Sequence, residues 1–319
     1  MSEVKRTILV TGASGYIGGA FLRALVASGW PGRIVGLDKV PARPRVEGVE
    51  YLLADMLAPE WDSRIEEQKP DVLVHLAFVV NPMRDEALMR RINVEGTRRT
   101  FAAARAAGVK HLVVASSATA YGAFPDNPLP LREDHPIRAQ ELPYEYARAK
   151  GLLEVFYEEF RRQNPSCAVA IIRPAIVFGP NVDNYLSRLV YAFPVVPLPD
   201  GGRTPMQLVH EEDVAGVLLR IVETGKDGAF NVAGDGQLTF AELCRMARRP
   251  SLSVPAQWMR VALKALWRTG WRRLEVPDTM VDYMIHPWVV STDRVASELG
   301  YRMRFSGLDA ARDMIRRHS

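Results

Sequence analysis

The chain has 319 residues, 48% apolar and 24% charged, the balance of a soluble globular protein rather than a disordered or fibrous one. Its net charge of +4 lacks the strong basic excess of a nucleic-acid binder. Cys167 and Cys244 stand far apart with no metal-ligand or redox spacing, and no apolar run reaches the roughly 20 residues of a membrane span.

The nearest such run, CAVAIIRPAIVF, is interrupted by Arg173. The N-terminal apolar run is too short for a signal peptide. With two reduced thiols, these features point to the cytoplasm.

In chain order, short apolar runs alternate with helix-like segments. TILVTG precedes a segment in which Ile17, Phe21, Leu22 and Leu25 recur at helical spacing before Gly29. RIVGLD, VEYLLAD and DVLVHLA follow, then one helix through EALMRRINVEGTRRTFAAARAAG, then HLVVASS. A helix through Tyr146 leads into a single strand, CAVAIIRPAIVFG. Runs apolar on both faces suit a parallel sheet covered by helices, and the alternation predicts a doubly wound α/β fold. Residues 180–211 are rich in Pro and Gly and read as an irregular annex. GAFNVAG (228–234) reads as a strand returning to the sheet, and helices and loops follow from 236.

Gly12, Gly15 and Gly18 lie at G-x-x-G-x-x-G spacing between a strand and a helix. There Gly12 makes a tight turn, Gly15 admits a pyrophosphate to the backbone, and Gly18 lets the helix pack on the sheet. Phosphates would rest on the free N–H groups of the helix N-terminus. Asp38 ends the second strand about 20 residues later, where a carboxylate binds ribose hydroxyls and repels a 2′-phosphate. This favours NAD over NADP, although Lys39 and Arg43 leave room for both. Asp55 ends the third strand, where it would face the adenine.

The helix LPYEYARAKGLLEVF places Lys150 four residues after Tyr146, on one helical face. A phenol with a pKa near 10 is a poor base at neutrality, and a neighbouring ammonium is expected to lower that value. Arg148 follows Tyr144 at the same spacing but on another face. Ser116 and Ser117 end the strand HLVVASS at the carboxyl edge of the sheet, and a Ser117 hydroxyl there could donate to a developing alkoxide. Glycine turn, serine and Tyr-x-x-x-Lys, each on its proper element, read as hydride transfer at a secondary alcohol or ketone carbon, with Tyr146 as general acid/base. No metal site is expected. A non-catalytic dinucleotide-binding sensor or scaffold would have lost at least one of Ser117, Tyr146 and Lys150, and all three are present.

Beyond these residues the chain resembles the extended short-chain dehydrogenase/reductases, the NAD-dependent epimerase/dehydratase superfamily, over nearly its whole length. The resemblance rests on TGASGYIG (11–18), Asp38, HLA (75–77), NVEGT (93–97), SSATAYG (116–122), YARAK (146–150), RPAIVFGP (173–180) and VHEEDVA (209–215). It implies a Rossmann domain over residues 1–178, rejoined by 209–235, and a smaller C-terminal α/β substrate domain built mostly from 179–319. It makes Ser117, Tyr146 and Lys150 the catalytic set. It adds Ser14, Tyr16, Ile17, Met56, Leu76, Ala77 and Asn93 to the cofactor residues, with Pro174, Ile176 and Val177 along the nicotinamide. Tyr146 and Lys150 would also touch the cofactor, Lys150 at the nicotinamide ribose. Phe78, Ser117, Ala118 and Thr119 would touch the substrate. A homodimer through a four-helix bundle, from helices around 86–107 and 146–163, is also implied.

The chain departs from the sugar-nucleotide epimerases of that superfamily, which remain the alternative reading. Ile176 stands where they often carry asparagine, and Met206, Gln207 and His286 stand where arginines for the nucleotide phosphates are expected. Ala118 and Thr119, rather than an acidic pair, follow Ser117, which argues against a dehydratase. FVVNPM, after HLA, would suit a less polar ligand. Residues 245–273 hold Arg245, Arg248, Arg249, Arg260, Lys264, Arg268, Arg272 and Arg273 with no acid, and Trp258, Leu263, Leu266, Trp267 and Trp271 form an apolar side. This segment reads either as a substrate-domain helix with a solvated basic face or as one lying on a membrane or an anionic ligand.

Overall fold

The apolar runs become one parallel sheet in the computed structural model, which describes residues 6–269 and 276–318. β1 (Thr7–Thr11), α1 (Tyr16–Ala27), β2 (Arg33–Asp38), β3 (Glu50–Leu53), α2 (Glu60–Gln68) and β4 (Val72–His75) come first. Next are α3 (Glu86–Arg90), α4 (Gly96–Ala106), β5 (His111–Ala115), α5 (Glu145–Gln163) and β6 (Ala168–Pro174). Shorter elements follow: β7 (Ile176–Phe178), α6 (Tyr185–Leu189), β8 (Val196–Pro199), β9 (Pro205–Met206), β10 (Leu208–His210), α7 (Glu211–Thr224) and β11 (Gly228–Val232). Last come β12 (Leu238–Thr239), α8 (Phe240–Met246), β13 (Ser251–Val254), α9 (Ala256–Thr269), α10 (Asp282–Ile285), α11 (Asp293–Leu299) and α12 (Gly307–His318).

The seven-stranded sheet runs β11-β6-β5-β4-β1-β2-β3, all parallel, a doubly wound α/β fold. Alternate side chains bury on opposite faces. Ile8, Val10, Val74 and Ile172 meet Phe21 and Leu25 of α1 and Val217 and Leu218 of α7. Leu9, Leu73, Val114 and Ile171 meet Trp61 of α2, Phe101 of α4, and Leu153 and Tyr157 of α5. Covering both faces is why the strands read as continuous apolar runs, each buried aliphatic side chain stabilising by about 1.5–3 kcal/mol. The strand order reverses between β1 and β4, and the carboxyl ends of those strands open a crevice.

Two elements differ from the sequence expectation. The long helix at 86–106 is interrupted by a π-helical turn over Arg91–Glu95, inside which Asn93 reaches the backbone of the β4 loop. The strand through CAVAIIRPAIVFG divides at Ala175. Pro174 cannot donate to a ladder, so the chain leaves β11 after the bond from Ala175 N to Val232 O (2.9 Å), and β7 pairs with β10 instead.

A third core, with Phe178, Leu198, Leu208, Leu243, Met259, Leu263, Met280 and Met284, lies beyond the sheet. Within the basic segment Arg260 pairs with Asp282 at 2.7 Å and Trp267 lies under Arg84; Trp271, Arg272 and Arg273 fall outside the described residues. Among the described residues no helix is long and apolar enough to cross a membrane, and no group of three or more His, Cys, Asp or Glu could hold a metal ion.

Candidate active site

The turn after β1 leaves no room for side chains. Gly12 has φ +71, and a Cβ there would lie 2.6 Å from the Ala77 nitrogen; one on Gly18 would lie 2.0 Å from the Gly12 oxygen. Gly15 N donates to Gly12 O (3.0 Å) and caps α1 without a side chain, and the first turn of α1 carries no acid. The helix N-terminus therefore presents its amide donors and positive dipole end to the crevice, a fit for a diphosphate.

The end of β2 is tied to this turn. Asp38 accepts from Ser14 N (3.0 Å) and Val40 N (3.3 Å), while the Ser14 hydroxyl donates to Val40 O (2.7 Å). These residues border a cavity that Asp55, Met56, Trp61 and Ala77 also line. Asp55 also accepts from Leu57 N (2.9 Å).

Leu76 and Ala77 carry the crevice from β4 toward α5. Thr11 holds this corner, bonding His75 Nδ1 (2.7 Å) and accepting from Ala77 N (3.3 Å). Burial, helped by the Lys150 charge, lowers the His75 pKa to about 3, so this imidazole stays neutral. Asn93 borders neither cavity. Its amide accepts from Val79 N (2.7 Å) and donates to Val79 O (3.0 Å), so it fixes the loop from behind instead of lying in the crevice.

Phe78 borders both this cavity and a second one. Ser117, Tyr146 and Lys150 meet in the second cavity, at the junction of β5 and the first two turns of α5. Tyr146 and Ser117 border this cavity together, and Ser117 Oγ accepts from Thr119 N (3.2 Å). Ser116 lies alongside with its hydroxyl buried and unpartnered. The Lys150 ammonium donates to Ala115 O (2.7 Å) and sits 3.5 Å from the centre of the Phe78 ring.

The expected lowering of the Tyr146 pKa by Lys150 is not what the geometry produces. Burial pushes the phenol up to about 12, and the polar Ser117 side chain offsets this only in part. Burial also brings Lys150 down to about 7, partly offset by Glu154, so its charge is only fractional at neutrality. The ammonium lies 5.9 Å from the Tyr146 ring centre and is committed to Ala115. Desolvation outweighs the helical i, i+4 placement.

Glu154, one turn beyond Lys150, receives a bidentate bond from Arg173 (3.0 and 2.9 Å). Arg173 also donates to the Tyr121 hydroxyl (2.7 Å). This buried pair fastens the end of β6 to α5, and Pro174, Ile176 and Val177, which follow Arg173, line the same cavity as Lys150. Tyr16 and Ile17 close the same wall, the Tyr16 phenol beside the Glu211 carboxylate and raised by burial.

Of the expected substrate contacts, Phe78, Ser117 and Thr119 border the second cavity, and the Thr119 hydroxyl is buried without a partner. Ala118 does not. It is fully buried with Tyr121, Leu131 and Val290, because the short 3₁₀ turn at 118–121 rotates it inward. The sequence reading missed most of the remaining wall: Tyr144, Tyr185, Phe240, Met280, Tyr283, Met284 and Trp288. Tyr144 and Tyr185 bond through their hydroxyls (2.8 Å), and the Tyr283 hydroxyl donates to Thr119 O (2.9 Å). Only Tyr144 had a signal, its place beside Tyr146. The arginine positions are occupied structurally. Met206 is buried core, and Gln207 both donates to Val290 O (3.1 Å) and accepts from Val290 N (2.8 Å).

Comparison with known proteins agrees with this cleft. The model of the NAD dependent epimerase/dehydratase family matches residues 8–233. An uncharacterised protein of Mycobacterium tuberculosis is 31% identical over 325 residues, covering 98% of this chain and 84% of its own. The 4-hydroxy-2-methyl-3-oxo-4-farnesyl-3,4-dihydroquinoline-1-oxide ketoreductase of Stigmatella aurantiaca is 27% identical over 327 residues, 95% of each chain. The crystal structure of the UDP-glucose 4-epimerase of Thermotoga maritima, with UDP-glucose, shares the fold with a TM-score of 0.76 at 18% identity, covering 98% of both chains. The family match spans the sheet from β1 to the end of β11, and the chain belongs to the NAD dependent epimerase/dehydratase family of oxidoreductases and epimerases.

Proposed function

We propose that this protein is an NAD-linked ketoreductase or secondary-alcohol dehydrogenase acting on an uncharged, largely apolar substrate. One observation carries the reading: among the described residues, the cavity holding Ser117 and Tyr146 is walled by aromatic and aliphatic side chains and carries no charged group except Lys150. A sugar nucleotide would bring a diphosphate into that space, and burying unpaired charge is costly. The farnesylated substrate named for the Stigmatella relative has the chemistry this wall would accept.

In this reading Gly12, Ser14, Gly15 and Gly18 hold the diphosphate, with Asp38, Asp55 and Met56 around the adenosine. Leu76, Ala77, Tyr16, Ile17, Pro174, Ile176 and Val177 form the channel toward the nicotinamide, and Asn93 fixes that channel from behind. When bound, the nicotinamide accepts or returns hydride. The Ser117 hydroxyl positions the substrate oxygen and Tyr146 passes the proton to or from it. A phenol raised to about 12 is the protonated partner that carbonyl reduction requires. The Asp38 carboxylate favours NAD over NADP. Residues 1–178 with 209–235 serve the dinucleotide, and 179–319 mostly serve the substrate.

The partner we infer is a second copy through α4 and α5. Their outer surface carries a shallow groove with Phe101 and Phe156, and Val155 is 47% exposed. The cytoplasm suits the two free thiols.

The test is a panel of apolar ketones and sugar nucleotides with NADH, read by absorbance and by chromatography of the sugar nucleotides. Stoichiometric NADH consumption with apolar ketones alone is expected. Sugar-nucleotide interconversion without net absorbance change would overturn the reading.

A further inference from the structure

Helix α9 is apolar on two opposite faces. Met259 and Leu263, 6% and 8% exposed, turn into the core that holds Met280, Tyr283 and Met284 of the cavity wall. At 3.6 residues per turn, Trp258, Val261, Ala262 and Ala265 form a second stripe on the other side. Trp258 is 62% exposed and Val261 60%, and both alanines are exposed. Core packing uses the first stripe and leaves the second without a partner among the described residues.

Cations line one edge of this outer stripe. Lys264 and Arg268 are exposed and form no ion pair among the described residues. Arg260, nearer the buried face, is neutralised by Asp282. Residues 256–269 contain no acid. A single exposed apolar side chain is ordinary. A helical stripe headed by tryptophan and edged by free cations is the pattern of a helix lying in a lipid interface.

We propose that α9 seats the protein on an anionic lipid surface, with Trp258 and Val261 at the acyl boundary and Lys264 and Arg268 among the headgroups. Charge selects this occupant. A second copy docked face to face would bring the same cations against each other, whereas an anionic surface meets them with opposite charge. α9 backs the cavity wall, so the surface would stand beside the site of an apolar substrate; that consequence rests on the function proposed above, whereas surface binding does not.

The test is sedimentation of the full chain with vesicles of phosphatidylcholine alone and of phosphatidylcholine with phosphatidylglycerol. Binding to the anionic vesicles, weakening as salt rises, is expected. Trp258→Ser with Val261→Ser should weaken it by about tenfold or more. Lys264→Gln with Arg268→Gln should weaken it by about 25-fold, at about fivefold per cation. All four side chains are exposed, so both variants should melt with the unsubstituted protein. Absent binding to anionic vesicles, or undiminished binding by either variant, would overturn the proposal. So would a dimer that the Trp258→Ser/Val261→Ser variant dissolves while no vesicle binds, which would give the stripe to a second copy. Turnover does not enter this readout, so failure here and failure of the proposed function are distinguishable.

Discussion

Around the glycine turn the cleft is made of backbone, whereas around Tyr146 it is made of side chains. At Gly12 and Gly18 even a methyl group would collide with main-chain atoms, and the carboxylate at the rim, Asp38, is held by backbone N–H groups of Ser14 and Val40. The other cavity is walled by Tyr144, Tyr185, Phe240, Tyr283 and Trp288, which come from segments far apart in the chain. A backbone cradle tolerates almost no substitution but accepts any ligand with the right phosphates. A side-chain wall can change by single substitutions, and those changes alter the ligand.

This contrast can be broken from either side. The largest effect is expected from Tyr146→Phe, which removes the hydroxyl we propose as the proton donor: kcat should fall by about 10²–10⁴-fold with NADH affinity unchanged. Steady-state kinetics and an NADH titration check this together. If the loss appeared in NADH affinity instead, the two halves would not be separate.

Gly18→Ala tests the other half. Its methyl has no space beside the Gly12 oxygen, so we expect a cost of about 3 kcal/mol or more in thermal or denaturant unfolding and loss of NADH binding. Unaltered melting with normal NADH binding would mean that the turn yields.

Lys150 lies between the halves and gives a pH signature. Burial lowers its pKa from 10.5 to about 7, so from about pH 7 to 10.5 the unfolded chain binds this proton more readily than the folded one. Stability contributed by the group therefore rises with pH across that window. Lys150→Met should remove a rise on the order of a few kcal/mol, visible in denaturant unfolding of both proteins at neutral and alkaline pH. Parallel pH profiles would contradict a desolvated amine.

The smallest effect belongs to the wall. Tyr185→Phe removes the hydroxyl bonded to Tyr144, and about 1 kcal/mol is expected, as a roughly fivefold rise in KM with kcat preserved. A kcat loss like that of Tyr146→Phe would move Tyr185 into the chemistry.

Several readings held because they depend on local order. The seven-stranded α/β sheet followed from apolar runs covered on both faces, and the tight turn from Gly12 and Gly18, where a side chain has no room. The failures have a common cause. Helical spacing put Lys150 near Tyr146, but burial raised the phenol's pKa where a lowering was expected, and it also brought the Lys150 amine down. Motif adjacency put Ala118 beside Ser117, but one 3₁₀ turn buried it elsewhere. Asn93 sat in a readable motif, and its amide was taken by Val79.

What the sequence determined by itself was periodicity, the position of the glycines, and the presence of serine, tyrosine and lysine on the right elements, because each is set by residues within a turn or two of one another. The tertiary structure alone decided which aromatic rings wall the cavity, how far its titratable groups are desolvated, and that α9 keeps an apolar stripe outward. Those properties arise where distant segments pack, and no local pattern encodes which surface meets which.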